Sequence, residues 1–369
     1  MEALPFVKKN VVFLIAVAVA LLTCFFVKPD AQYFGYFDFK TLSCLFATLA
    51  VVCALRNIRF FRILAAKIVA VFKTVRTAII ALVYITFIGS MLIANDMALI
   101  TFLPLGYYVL KSTDNRRYMA FTFIMQNIAA NLGGMLTPFG NPQNLYLYSY
   151  FNIPTGEFLR IMLLPFIVAI LLITVCCLFV EKDALEIKNA EETKLNKLRT
   201  VIYSILFFIS IAMVFSGIPY TVGVLIVFVS LLILDRKALL QVDYGLLLTF
   251  CAFFVFSGNM ARIPAVNQFL GGLVEKNTLL YGFLSCQFIS NVPSAVLLSK
   301  FTQNYQELLV AVNIGGAGTL ISSLASLITF REFIRHEPGM AKRYIKLFTV
   351  YNFGISLVLL LLMHFVYHL

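Results

Sequence analysis

Asp96 is an acidic residue within the long apolar segment 77–110, where it directly follows Asn95. A charged side chain at membrane depth costs about 3 kcal/mol or more when it has no partner, so it is a functional candidate by default. Asp96 could ligate Na⁺ together with Asn95, or it could carry a proton. A structural salt bridge or a hydrogen bond to nearby backbone is the alternative. No Lys or Arg inside an apolar run offers an obvious partner, which favours a functional role.

Polar and helix-breaking residues also interrupt the apolar segment 118–150, in the stretch NLGGMLTPFGNPQNLYLY at 131–148. The residues that should break the helix are Gly133, Gly134, Pro138, Gly140 and Pro142. Thr137, Asn141 and Asn144 add polar groups without a buried charge. A broken membrane helix offers carbonyl groups to a cation at the end of its first half, and N–H groups to an anion at the start of its second half. Pro142 suits the first turn of that second half.

The same pattern recurs later in the chain, where residues 313–330 align without a gap with 131–148. Asn131 then meets Asn313. In the interrupted segment 306–331, the residues that meet Gly133, Gly134, Thr137, Gly140, Asn141 and Asn144 are Gly315, Gly316, Thr319, Ser322, Ser323 and Ser326. Gly318 adds a further glycine to the second break. Upstream, ANDMALI resembles SNVPSAV, and downstream IPTGEF resembles EPGMAK. Three similarities in the same order predict an internal repeat.

Two segments, 77–110 and 279–300, are apolar at both ends and polar in the middle. This pattern predicts re-entrant hairpins whose tips meet the two breaks near the middle of the membrane. The second tip carries Ser290, Asn291 and Ser294. Hydrogen bonding between helices is the alternative role for each asparagine and serine taken singly. Their equivalent placement in both halves favours residues that line a site.

The composition requires a membrane around these elements. The chain has 369 residues, of which 61% are hydrophobic and 12% charged, and a mean hydropathy of +0.93. Its apolar runs are continuous and about as long as the roughly 20 residues that cross a hydrocarbon core, which predicts an all-α polytopic membrane protein. Candidate spans are 10–27, read as an uncleaved first helix, 39–55, 158–180, 200–216, 218–234, 244–260 and 343–367. The positive charge lies in loops, so nucleic-acid binding is not expected, and no His or Cys has the spacing of a metal site.

The basic loops predict the orientation. If both hairpins enter and leave on one side, most of the 29 lysines and arginines fall on the cytoplasmic face. The exceptions are Lys28, Lys40, Arg160, Arg262, Lys276 and Lys300. The N-terminus is then cytoplasmic and the C-terminus outside, in the inner or plasma membrane. Segment 56–76 should be an amphipathic helix in the interface.

These patterns divide the chain into two halves of opposite orientation. Residues 1–180 form the first repeat, and 181–199 form a charged cytoplasmic linker. Residues 200–369 contain an extra span, which inverts the second copy, followed by the second repeat. Inverted repeats with broken helices are typical of secondary transporters.

The stretches AND and ISNVPSAVLL at the hairpin tips, with TPFGNPQNL at the break, resemble the ion transporter superfamily. That group includes divalent-anion/sodium symporters, citrate carriers, the arsenite efflux permease and a class of sodium/proton antiporters. The resemblance covers nearly the whole chain. It implies two sodium-type sites with an anionic substrate between them, a dimer, and an elevator-like movement of the hairpin domain. The residues that it places in these sites are Asn95, Gly140 and Asn141 in the first, and Asn291, Gly318 and Ser322 in the second.

The hairpin tips of the dicarboxylate branch have the sequence Ser-Asn-Thr. In this chain the two tips are Ala-Asn-Asp and Ser-Asn-Val, so they depart from that branch. An Asp after the Asn resembles the arsenite and sodium/proton branches, so proton coupling is an alternative to sodium coupling. The expected function is ion-coupled transport of a small anion, a carboxylate or an oxyanion, by alternating access. A sodium/proton antiporter centred on Asp96 is the second candidate. An intramembrane enzyme would need a catalytic constellation that the sequence lacks.

The expected site residues follow from these elements. Substrate contacts are expected from Asn95, Asn141, Asn144, Ser290, Asn291, Ser294 and Thr319. Coupling-ion contacts are expected from Asn95, Asp96, Thr137, Gly140, Asn141, Asn291, Gly318 and Ser322. No cofactor is expected beyond Na⁺ or H⁺. The expected partners are the lipid bilayer, a second copy of the chain and a separate subunit that could energise transport.

Overall fold

The computed structural model describes residues 11–185 and 195–368, apart from the side chain of Val11. Lys8, Lys9 and the first residue of the predicted span 10–27 therefore lie outside the described residues, as do residues 186–194 of the predicted linker. The helices are α1 (Val11–Cys24), α2 (Phe39–Asn57), α3 (Phe60–Val69), α4 (Val75–Ile93), α5 (Asn95–Ser112), α6 (Met119–Gly133), α7 (Pro142–Tyr150), α8 (Thr155–Leu178), α9 (Lys197–Val214), α10 (Tyr220–Leu234), α11 (Arg236–Leu240), α12 (Tyr244–Arg262), α13 (Pro264–Lys276), α14 (Thr278–Ile289), α15 (Asn291–Leu298), α16 (Tyr305–Gly315), α17 (Leu324–His336) and α18 (Ala341–His368).

The described residues confirm an all-α polytopic fold. Six of their helices are long and apolar enough to cross a membrane, namely α2, α4, α8, α9, α12 and α18 with the turn before it. The shorter apolar helices α1 and α10 have 14 and 15 residues. At 1.5 Å per residue, α10 is shorter than the roughly 30 Å of a hydrocarbon core, whereas α1 begins at the first described residue. Helix α1 ends at Cys24, before the predicted end at 27, and α10 begins at Tyr220, after the predicted start at 218.

Each predicted hairpin is a pair of helices joined by one residue. Ala94 separates α4 from α5, and Ser290 separates α14 from α15. The arms of each hairpin pack against one another. The length of α4 would also permit a full crossing, so the re-entrant path remains a prediction.

Both interrupted segments are broken where the sequence predicts. In the first, α6 ends at Gly133, a short 3₁₀ turn follows, and α7 begins with Pro142 as its first residue. This confirms the predicted role of that proline, whose missing N–H costs nothing in the first turn. In the second, α16 ends at Gly315 and α17 begins after Ser323. Helix α17 continues to His336, beyond the predicted boundary at 331.

The helices form two groups. In one group, α4 packs along α6 and α14 packs along α16, so each hairpin lies against the first half of a broken helix. In the other, α1 packs along α12, and α2 packs against α10 and α9. These contacts recur at matched positions of the two predicted repeats. The hairpins and broken helices therefore share one packed body, and α2 and α12 border it.

Candidate functional site

The two hairpin tips have the same unusual backbone. Ala94 has φ 64° and ψ 153°, and Ser290 has φ 73° and ψ 158°. This region is populated almost only by glycine, and another residue there costs about 1–3 kcal/mol. The strain occurs at matched positions, directly before Asn95 and Asn291. It turns the chain within a single residue, so that the next helix begins at the tip asparagine.

Replacing Ala94 by Gly should raise the free energy of unfolding by about 1 kcal/mol, because glycine adopts this backbone without strain. Ala94→Val should lower it, since a β-branched residue fits the conformation worse. Thermal unfolding of the purified protein in detergent would measure both changes. Ala98→Gly, inside α5, is the control and should be destabilising. An equal loss of unfolding free energy in Ala94→Gly and Ala98→Gly would contradict backbone strain at Ala94.

Two threonines hold the breaks against the first arms of the hairpins. The Thr137 hydroxyl donates to the carbonyl oxygen of Met91 at 2.8 Å. The Thr319 hydroxyl donates to the carbonyl oxygen of Gln287 at 3.1 Å. These residues are matched in the two predicted repeats. Both threonine hydroxyls thus fix the position of a break relative to a hairpin.

A buried network of amides lies where the two broken helices cross. The Asn131 Oδ1 accepts from the Asn95 Nδ2 at 3.2 Å and from the Ser323 Oγ at 2.7 Å. In the other copy, the Asn313 Oδ1 accepts from the Asn141 Nδ2 at 3.3 Å. Asn131 and Asn313 are matched, as are Ser323 and Asn141. Each first half-helix is therefore bonded to the start of the second half-helix of the opposite copy.

Asn144 belongs to the same network. Its Oδ1 accepts from the Asn313 Nδ2 at 2.6 Å, and its Nδ2 lies 3.2 Å from each of three backbone carbonyls of the first break. The side chain is fully buried. In this structure the hydrogen bonds of the Asn144 side chain therefore connect the first break to Asn313 and hold the break in place. The sequence predicted a substrate contact for Asn144, and that role remains a prediction.

The second tip and the second break also meet. The Asn291 N–H donates to the Ser322 carbonyl at 2.9 Å, and the Ser290 hydroxyl donates to the same oxygen at 3.2 Å. The Ser322 hydroxyl accepts from the Gly318 N–H and donates to carbonyls of the break. The residues of the second predicted cation site therefore lie together. The Ser294 hydroxyl is buried and has no hydrogen-bond partner.

A cavity of about 60 Å³ lies beside the first tip. It is bounded by α2, the tip of the first hairpin, the first break, the start of α12 and the start of α17. Its polar side chains are Thr48, Asp96 and Asp243. The Asp96 Oδ1 and the Thr48 hydroxyl are buried without a hydrogen-bond partner. Of the predicted site residues, Asp96 is the one that lines this cavity.

The two tips differ in the helices that pack beside them. Helix α12 packs directly against α15, whereas α2 contacts α7. Asp38 and Asp243 cap α2 and α12 in the same way, so residues 45, 48 and 49 match 250, 253 and 254. These positions are Leu, Thr and Leu in α2, and all three are phenylalanine in α12. The positions of α12 that match the α2 side of the cavity therefore carry larger side chains.

Sequence reasoning missed several residues of this site. Gln287 bonds the second break, because its Oε1 accepts from the Thr319 N–H at 2.9 Å and its Nε2 donates to the Gly315 carbonyl at 3.0 Å. Asn127 bridges α6 to α17 and α18 through Ser326 and Asn352. A buried amide in an apolar helix is the signal that could have identified both.

The fold and this site define a multi-pass helical membrane protein in which two broken helices cross between two helical hairpins. Residues 4–309 match the family model described as citrate transporter, CitMHS. The chain belongs to this family of transporters. It is 34% identical over 319 residues to an uncharacterized transporter of Methanocaldococcus jannaschii. This alignment covers 86% of this chain and 87% of the relative. It is 30% identical over 302 residues to the inner membrane protein YbiR of Escherichia coli K12, with 80% of each chain covered. The protein is thus a secondary transporter of anions or other small solutes.

Proposed function

We propose that this chain is an ion-coupled secondary transporter that works by alternating access. The observation that carries this proposal is the paired crossing of the broken helices, with Asn131 bonded to Ser323 and Asn313 bonded to Asn141. Matched contacts of this kind are expected of inverted repeats, which can exchange conformations to open a site to either side. The cavity beside the first tip, which α2 and α12 border, supports the same cycle. In that cycle the hairpin body moves against α2 and α12.

The coupling ion binds at the first tip. Asp96 supplies a carboxylate oxygen that is buried and without a donor. The Asn141 Oδ1 is also buried without a donor, and it lies at the start of α7 beside Gly134. Oxygens left without donors are the groups that a sodium ion or a proton would satisfy. Asn95 and Gly140 complete this first site, and Asn291, Gly318 and Ser322 form the second.

A small carboxylate or oxyanion is the first candidate substrate, because the family is described by citrate and the N-terminus of α7 carries a favourable dipole for an anion. A sodium/proton antiporter is the second candidate. The observation that favours it is the unpartnered carboxylate of Asp96 on the cavity wall. In both cases Asp96 is the residue through which the ion gradient drives movement.

Purified full-length protein in liposomes would test the proposal. We expect uptake of citrate or a smaller carboxylate, or exchange of Na⁺ for H⁺, that needs an imposed Na⁺ or H⁺ gradient. Ionophores that dissipate the gradient should abolish accumulation, because a secondary transporter has no other driving force. Accumulation that persists without any gradient, or no flux of any of these solutes, would refute the proposed function.

A further inference from the structure

Helix α3 has one face packed on the protein and another that is exposed and apolar. It lies between α2 and α4 in the chain and packs against both of them and against α5. Phe61, Ala65 and Val69 are buried, and their spacing of four residues puts them on one face. Leu64 and Ile68 are 49% and 41% exposed. These two residues also lie four apart, so they form a second, uncovered face.

The segment that contains α3 is strongly basic. Residues 56–76 include no Asp or Glu, and their basic residues are Arg56, Arg59, Arg62, Lys67, Lys73 and Arg76. Arg59, Arg62 and Lys67 are exposed, and none of the three forms an ion pair with an acidic residue that the structure describes. Lys67 follows Leu64 by three residues, so it borders the exposed apolar face. Exposed basic side chains beside an apolar face are typical of helices that bind anionic membrane surfaces.

The matched helix of the other copy lacks this charge. Helix α13 lies between α12 and α14, as α3 lies between α2 and α4. It also exposes an apolar side chain, because Phe269 is 65% exposed. Its charged residues are Glu275 and Lys276, whose formal charges cancel. The place in the fold therefore requires an apolar helix but no basic one, so the charge of α3 has another cause.

We propose that the exposed face of α3 is a docking surface for anionic phospholipid headgroups. Arg59, Arg62 and Lys67 supply the cationic groups that bind the lipid phosphates, and Leu64 and Ile68 contact the acyl chains. Each basic residue near an anionic leaflet adds to the attraction, which salt screens. The bound lipids hold the helix that links α2 to the first hairpin. This inference goes beyond the proposed transport function, and its test needs no transported solute.

The chain contains no tryptophan, so a single introduced tryptophan reports on its own surroundings. Leu64→Trp places this probe on the exposed face of α3, and Phe269→Trp places it on α13 as the matched control. The full-length variants would be reconstituted in mixed bilayers of phosphatidylglycerol and phosphatidylcholine, with bromine on the acyl chains of one lipid at a time. Bromine quenches tryptophan fluorescence on contact, so the two measurements give the local preference for the anionic lipid. We expect a preference of about 3- to 10-fold for Leu64→Trp, which falls as salt is raised, and one within about twofold of unity for Phe269→Trp.

Removal of charge from α3 provides the second arm of the experiment. In the Leu64→Trp background, Arg62→Gln with Lys67→Gln should bring the preference to within about twofold of unity. Lys342→Gln with Lys346→Gln removes the same charge from exposed positions of α18 and should leave at least about half of the preference.

Three outcomes would overturn the inference. A preference near unity for Leu64→Trp would limit the basic residues of α3 to directing the orientation of the chain. An equal preference for Phe269→Trp would show that the charge of α3 does not select the lipid. An equal loss from the two charge-removing pairs would assign the preference to the net charge of the protein rather than to this face.

Discussion

Asp96→Asn should abolish ion-coupled transport and leave the protein folded. An amide neither exchanges a proton near neutral pH nor balances the charge of a bound cation. We therefore expect a loss of roughly 100-fold or more in gradient-driven flux. Folding should not suffer, because the Asp96 Oδ1 is buried without a hydrogen-bond partner, so its replacement breaks no hydrogen bond of that atom. A buried charge without a partner is costly, so replacing it by a neutral amide should not destabilise the fold. Flux in liposomes and thermal unfolding of the same preparation would measure the two effects.

Asp114→Asn is the matched control for this experiment. Asp114 follows the same hairpin arm, is exposed, and has φ 57°, a conformation that asparagine tolerates. The Asp114→Asn variant should transport at the wild-type rate. Wild-type flux in Asp96→Asn would remove Asp96 from the coupling mechanism. Loss of flux together with a large loss of stability would instead assign it a structural role.

The breaks and tips were predictable because their causes are local. Proline and glycine interrupt a helix wherever they occur, and Pro142 occupies the first position of α7 as its chemistry requires. The alignment of Asn131 with Asn313 was visible in the sequence as well. The structure places both at the ends of first half-helices, in matched hydrogen bonds.

The partners of each amide could not be predicted, because they depend on how the two broken helices cross. Asn141 and Asn144 were expected to face a substrate. In the structure their Nδ2 groups donate to backbone and side-chain oxygens at the crossing. A side chain's neighbours across a helix crossing are set by packing between distant parts of the chain. Local residue types therefore identify the region of the site more readily than the direction of each group.

Thr48 and Asp243 were missed for a related reason. A threonine in an apolar helix and an aspartate at a helix start are each ordinary features of membrane and soluble proteins. They become part of a site only because α2 and α12 meet the first hairpin tip there. The contrast between Thr48 and its matched Phe253 was present in the sequence. It could be interpreted only after the helix caps at Asp38 and Asp243 had fixed the alignment of α2 with α12.

Gly133→Ala should separate α4 from α6 and lower the free energy of unfolding by about 2–3 kcal/mol. A Cβ at Gly133 would overlap the carbonyl oxygen of Phe87 and come within 2.7 Å of the Ser90 hydroxyl oxygen. Backbone oxygen cannot rotate away, so the helices must move apart and disturb the break that follows. Gly354→Ala in α18 is the control. A Cβ there meets nothing within 4 Å, and alanine should stabilise that helix slightly. Thermal unfolding in detergent would measure both variants, and equal stabilities would show that the close approach of the hairpin to the broken helix is not required for the fold.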